Sequence, residues 1–153
     1  MLVKTRNHKG KKHSKPKSKS KTMKYHFNNK YSQQHMVLMF LRMLNTVKLF
    51  HWKTHSFAQH KATDELYSNL NSTIDTFVET MLGKSGGRIN LTGHKEIPLL
   101  DCDDISTFKR EVSMYKEYLI HMKLNDGSNM DLLNTRDEML GHLNQFSYLL
   151  TFH

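Results

Sequence analysis

Four stretches of the chain repeat apolar side chains every three or four residues, and almost nothing interrupts them. The first runs from about Ser32 to Thr54 and carries Met36, Phe40, Met43, Leu44, Val47 and Phe50. That period matches the turn of an α-helix, so each set forms one continuous apolar stripe. The second starts after Ser56, a residue able to cap a helix, and reaches about Leu82. Its apolar positions are Ala62, Leu66, Leu70, Thr73, Ile74, Phe77 and Met81. The third begins at Asp104 or Ser106 and shows Phe108, Val112, Tyr115, Leu119 and Met122 along one face. LNDGSN reads as a turn. The fourth begins near Asp131 and presents Leu132, Met139, Leu143, Phe146 and Leu150. Two prolines and seven glycines in 153 residues leave few breakers. Residues 31–153 therefore read as one all-α domain, a bundle whose four stripes share a core. Between the second and third helices lies GKSGGRINLTGHKEIPLLDCDD, 22 residues with room for a short extra element. A connection that long points to a crossover rather than to simple up-down-up-down packing.

The charge is concentrated at one end. Residues 1–24 hold ten Lys or Arg and no acid, and no acidic residue precedes Asp64. The other 129 residues hold thirteen basic and fourteen acidic side chains, so the body is close to neutral. Residues 1–30 form a Lys/Ser-rich tail with too little apolar surface to fold alone, and are expected to be disordered. Lys4, Arg6, Lys9, Lys11, Lys12, Lys15, Lys17, Lys19, Lys21 and Lys24 are its candidate nucleic-acid-binding residues. Such a tail neutralises phosphates and reads no bases, so the expected partner is DNA or RNA without sequence specificity. A solubility tail or a nuclear-import signal is the plainer reading. Cys102 stands alone and cannot form an internal disulfide, which suits a reducing, intracellular compartment. The longest apolar run, MVLMFL at 36–41, is too short to span a membrane, and no apolar core follows the basic N-terminus as a signal peptide would require. No membrane partner is expected.

The stretch HWKTHSFAQHKATDELY, His51 to Tyr67, opens the second question. His60 and Asp64 stand four apart on the second helix, as do Asp75 and Glu79. Residues four apart share a helix face, and the eleven residues from Asp64 to Asp75 make about three turns, so all four lie on one stripe. That stripe spans roughly 100° and points about 150° away from the helix's own apolar face. The carboxylates thus turn away from the bundle core, unlike di-iron sites whose ligands project inward. Glu138 and His142 on the fourth helix sit on the flank of its apolar face.

The two pairs are also about 16 Å apart along the axis, while metal–ligand bonds are about 2 Å. Each pair is half a site. An antiparallel copy of the same helix, related by a two-fold axis near Asn69–Leu70, would bring His60 and Asp64 of one chain beside Asp75 and Glu79 of the other. Ser68, Asn71 and Ser72 are small enough for that approach. A solvated helix face is the plainer reading of either pair alone.

The segment HWKTHSFAQHKATDELYSNLNSTIDTFVETMLGKSGG resembles the signature of Dps-type mini-ferritins, with His51-Trp52, His60, Asp64, Asp75 and Glu79 at the matching positions. It is also similar to ferritin-like proteins of large DNA viruses, through Arg136-Asp137-Glu138 and Tyr148-Leu149-Leu150. The resemblance implies a ferritin-like four-helix bundle with a long crossover between the second and third helices. It implies a ferroxidase site shared between two subunits, in which His51, His60 and Asp64 come from one chain and Asp75 and Glu79 from the other. These five are the candidate catalytic and metal-binding residues. It further implies a hollow dodecamer that stores ferric mineral, and a basic tail that binds DNA in the nucleoid, nucleus or virion. The turn between His51 and His60 is shorter than the family's, which leaves His55 as an alternative to His51.

Carboxylate oxygens and imidazole nitrogens suit Fe(II), and hard oxygen donors tolerate the Fe(III) product. A di-iron site is therefore the expectation, with Zn²⁺ as a possible substitute. The competing expectation is a non-enzymatic nucleic-acid packaging or virion protein on the same scaffold, with a vestigial or structural metal site. Two further expectations concern single residues. Trp52 is expected to pack between helices, and Arg136, inside an apolar stripe, is expected to pair with a buried acid.

Overall fold

The computed structural model describes residues 32–124 and 127–152. The basic tail and its ten candidate phosphate-binding residues lie outside them. Four α-helices account for most of the rest: α1 Gln33–Lys53, α2 Phe57–Ser85, α3 Ile105–Ile120 and α4 Met130–Leu149. No strand occurs among the described residues.

The caps are where hydrogen-bonding chemistry places them. Ser32 accepts from His35 N, Ser56 from Gln59 N and Asp104 from Thr107 N, each satisfying an amide that the first turn leaves without a partner. Of the two candidate starts for the third helix, Asp104 is the cap. α2 runs on to Ser85, three residues past the expected end, and stops where Gly86 adopts φ 66°, a left-handed conformation that suits a residue without Cβ.

Contacts at the two ends give the chain direction. Lys84 at the end of α2 binds Asp131 at the start of α4, Nζ to Oδ1 2.8 Å. Lys53 at the end of α1 binds Asp101 and Asp103, just before α3. Residues 86–104 therefore travel the length of the bundle, and α3 runs parallel to α2. Those residues contain no helix or strand, so the short extra element does not form. Each chain reversal thus alternates as up, down, down, up.

The core is a stack of large side chains from all four helices. Phe50 of α1 stacks on Phe108 of α3 with centroids 4.1 Å apart, and Phe108 meets Phe146 of α4 edge-on at 5.8 Å. Phe40 packs edge-on against Phe77 of α2. Burying each such side chain stabilises by roughly 1.5–3 kcal/mol. Every apolar position anticipated on α3 and α4 is buried, Leu150 included. One buried polar contact crosses the core, where the hydroxyls of Thr46 and Tyr115 meet at 2.8 Å. Burial pushes the Tyr115 phenol above its ordinary pKa, so the hydroxyl stays protonated.

Two expectations are corrected. Trp52 does not pack between helices; it is 68% exposed, with Lys48 Nζ 5.8 Å from its ring. It is the last residue but one of α1. Arg136 binds Asp137, which is exposed rather than buried, with Nη2 to Oδ1 2.6 Å. The long guanidinium side chain passes over the core edge, also donating to Met122 O, and leaves its charge at the surface.

Candidate functional site

The α1–α2 turn brings His51 and His60 face to face. Their rings stack with centroids 3.9 Å apart and 23° between planes. His51 Nδ1 lies 3.0 Å from the carbonyl oxygen of His60, and His60 Nδ1 lies 3.1 Å from the carbonyl oxygen of His51. A carbonyl only accepts, so each Nδ1 must carry the proton. In the neutral ring that leaves Nε2 of both residues with a free lone pair, the form a metal ion needs. Thr63, fully buried in α2, steadies the pair: its hydroxyl is 3.3 Å from His51 Nδ1 and donates to the carbonyls of Gln59 and His60.

Asp64 completes this cluster. Its Oδ1 is 3.9 Å from His51 Nε2 and 3.9 Å from Lys48 Nζ, and its side chain is 54% exposed. His51 itself is buried, whereas His60 and Asp64 face solvent. His55 is exposed and stands on the turn, away from these contacts. Of His51 and His55, His51 alone meets both His60 and Asp64.

Asp75 and Glu79 are exposed further along α2. Because α2 is one unbroken helix, the distance from Asp64 to Asp75 stands at about 16 Å. The structure therefore brings His51, His60 and Asp64 together and leaves Asp75 and Glu79 apart from them. Among the described residues no group of three or more His, Cys, Asp or Glu converges closely enough to hold a metal ion within one chain. On α4, His142 Nε2 contacts the Thr73 hydroxyl at 3.3 Å and Glu138 at 3.8 Å, a contact between helices rather than a part of the cluster.

Two neighbours, Lys48 and Thr63, were not singled out from the sequence. Lys48 lies beside Asp64 and over the ring of Tyr67, 4.7 Å from its centroid, a cation–π contact. Thr63 looks like any helix threonine until the turn folds His51 against it. A signal was available for Lys48, one helical turn before His51. For Thr63 it was weaker: a polar residue recurring within the buried stripe. Along the outer face of α2 runs an open groove of about 550 Å³, lined in part by Ala58, Lys61, Asp64, Glu65, Ser68 and Phe152.

The model of a family of unknown function, DUF5856, matches residues 51–150. The chain belongs to that family. The matched span begins at His51 and takes in α2, α3 and α4, so every candidate ligand falls within it. No curated protein matches the chain, and no solved structure does. No helix among the described residues is long and apolar enough to cross a membrane.

Proposed function

We propose that the protein is a Dps-like mini-ferritin: it oxidises Fe(II) at a site shared by two chains, stores the ferric product and binds nucleic acid through its basic tail. The observation that carries the reading is the reciprocal hydrogen bonding of His51 and His60, which frees Nε2 on both rings and leaves that of His51 beside the Asp64 carboxylate. The donor types suit Fe(II): two imidazole nitrogens, one from buried His51 and one from exposed His60, and the exposed Asp64 carboxylate. Within one chain they do not converge closely enough to hold an ion among the described residues. Asp75 and Glu79 of a second copy are the missing oxygen donors, and a two-fold contact supplies both halves twice.

Such a contact puts Asp64 near Asp75 and Glu79 of its neighbour. Like charges at that distance repel, so the contact needs a cation between them. Iron is the substrate here. Two Fe(II) ions each give one electron to peroxide, which takes up two protons and leaves as two waters. Dioxygen is the alternative acceptor. This chain's residues hold the ions, orient the imidazoles and balance the growing positive charge with carboxylate.

The up, down, down, up helix order with its full-length crossover supports the ferritin-like scaffold. A dodecameric cage would supply the storage volume. The run of lysines in residues 1–24 supports non-specific phosphate binding.

One observation favours the rival reading, a nucleic-acid packaging protein with a vestigial or Zn²⁺-holding site. Lys48 already sits 3.9 Å from Asp64 and partly satisfies that carboxylate without a metal. Anaerobic Fe(II) titration followed by peroxide separates the two. Saturable Fe(II) binding near one or two ions per chain, then rapid oxidation, supports the ferroxidase. Absence of both supports the packaging role.

A further inference from the structure

We propose that the cleft between α3 and α4 at Lys109 and Lys116 binds a small phosphate monoester, held in its dianionic form by the two ammonium groups. The inference is independent of the iron site and needs no second chain. The cleft encloses about 200 Å³ and is lined by Lys109, Val112, Ser113, Lys116, Ser147 and Leu150. Val112 and Leu150 are buried, so the floor is apolar and the rim carries the lysines and serines.

The two lysines converge. On α3 they stand seven residues apart, about 10.5 Å along the axis. Their side chains cross to α4 and end on partners only three residues apart, about 4.5 Å. Lys109 Nζ donates to the carbonyl oxygen of Leu150 at 3.4 Å, and Lys116 Nζ to the hydroxyl of Ser147 at 3.2 Å. Two positive charges drawn together repel, and an anion placed between them turns that cost into attraction.

No acid among the described residues answers them. Both acceptors are neutral. The acids of α3 are engaged elsewhere, Glu111 by Arg42 and Glu117 by His121. On α4, Asp131 binds Lys84, Asp137 binds Arg136 and Glu138 lies beside His142. Residues 1–31 contain no acid at all, so the basic tail cannot neutralise the pair. An ammonium has three N–H donors; each lysine spends one on α4, which leaves two on each for a ligand. The serine hydroxyls give their protons to backbone carbonyls, Ser113 to Lys109 and Ser147 to Leu143, so the ammonium groups supply the donors of the cleft.

That donor set selects the ligand class. Lysine holds phosphate as a point charge through charge-assisted hydrogen bonds. Two such charges match the dianion of a monoester better than the single charge of a diester. The apolar floor suits a small ester group beside the phosphate. A nucleic-acid backbone offers diesters of one charge each, which makes it the partner of the tail and not of the cleft.

Calorimetric titration of the full-length chain with methyl phosphate and with dimethyl phosphate tests this, at about pH 8, where the monoester carries two charges. Methyl phosphate should bind saturably, and dimethyl phosphate at least about ten-fold more weakly. Lys109→Gln and Lys116→Gln should each weaken methyl phosphate about ten-fold or more, with helical circular dichroism unchanged. Lys95→Gln removes an exposed charge from the connection between α2 and α3 and should bind as the unmodified chain does. Every variant keeps the same tail, so the differences report the cleft. Absence of saturable methyl phosphate binding overturns the proposal, as does equal affinity for the two esters or an equal loss in Lys95→Gln. Loss of duplex DNA binding in Lys109→Gln and Lys116→Gln, with methyl phosphate unbound by the unmodified chain, makes the cleft a nucleic-acid contact and overturns it too.

Discussion

His51 and His60 each give their Nδ1 proton to the other's backbone carbonyl, at 3.0 and 3.1 Å, while their rings stack. The exchange ties the last turn of α1 to the first turn of α2. It also fixes which nitrogen each ring can offer to an ion. A structural link and a ligand orientation are thus the same four atoms.

His51→Gln should slow Fe(II) oxidation at least ten-fold, while His55→Gln should leave it unchanged. Replacing a group that merely orients a ligand already costs roughly 10–100-fold at metal sites. Stopped-flow absorbance after peroxide addition reads the rate; equal loss in both variants would return His55 to the site.

Asp64→Ala and Glu79→Ala should each abolish fast Fe(II) oxidation and leave the native mass of the assembly unchanged. Mixing the two variants gives a sharper outcome. In a heterodimer the two substitutions fall on the same site and the other site is intact, so activity should recover partly. No recovery on mixing argues that both residues act within one chain.

Thr63→Val keeps the side-chain shape but removes the hydroxyl beside His51 Nδ1. Iron affinity should fall about ten-fold. Thermal unfolding should shift far less than for a cavity variant, because His51 retains its bond to the His60 carbonyl. Isothermal titration with Fe(II) under nitrogen measures the first quantity and circular dichroism the second.

Phe108→Ala should cost about 3–5 kcal/mol of stability, since it removes the ring that meets both Phe50 and Phe146. Urea denaturation followed by circular dichroism is the check. A loss under about 1 kcal/mol would mean that the α1–α3–α4 junction collapses to fill the space.

Acid should loosen two helix starts. Hydrogen bonds from Ser106 and Thr107 hold the Asp104 carboxyl well below its ordinary pKa, and the Lys84 ammonium does the same for Asp131. A carboxyl depressed in the folded state adds stability that is complete above the ordinary carboxylate range and is lost as pH falls through the folded value. Melting temperature should therefore fall on acidification below about pH 4. Asp104→Asn, which keeps a capping oxygen but cannot titrate, should show a shallower fall; parallel curves would refute the assignment.

Removing residues 1–24 should collapse DNA binding and flatten its salt dependence, because those residues carry ten of the positive charges. Fluorescence anisotropy with a labelled duplex at several salt concentrations measures both. Equal affinity of the truncated chain would place the phosphate contacts on the body.

Much of this is legible in the sequence. Spacing by three and four located the helices because an amphipathic helix must bury one stripe, and that stripe repeats with the turn of the helix itself. Ser32, Ser56 and Asp104 stand at three of the starts because a side-chain acceptor there satisfies a first-turn amide. The same arithmetic separated Asp64 from Asp75 by too great a length for one ion, and a straight helix leaves that conclusion intact.

Tertiary structure decided what spacing cannot express. Whether His51 or His55 approaches Asp64 depends on how a three-residue turn folds, which local periodicity does not encode. Trp52 reads as a packing residue by type, yet its ring is left exposed with the Lys48 ammonium near it. Arg136 appeared to need a buried acid, but a long side chain delivers its charge to an exposed Asp137. For His51 the deciding quantity is a contact between two helices, and for Trp52 and Arg136 it is which neighbouring side chain the packed bundle leaves exposed to meet them. The amino-acid pattern determines which faces are apolar and where helices begin; only the packed helices determine which polar side chains those faces bring within a hydrogen bond of one another.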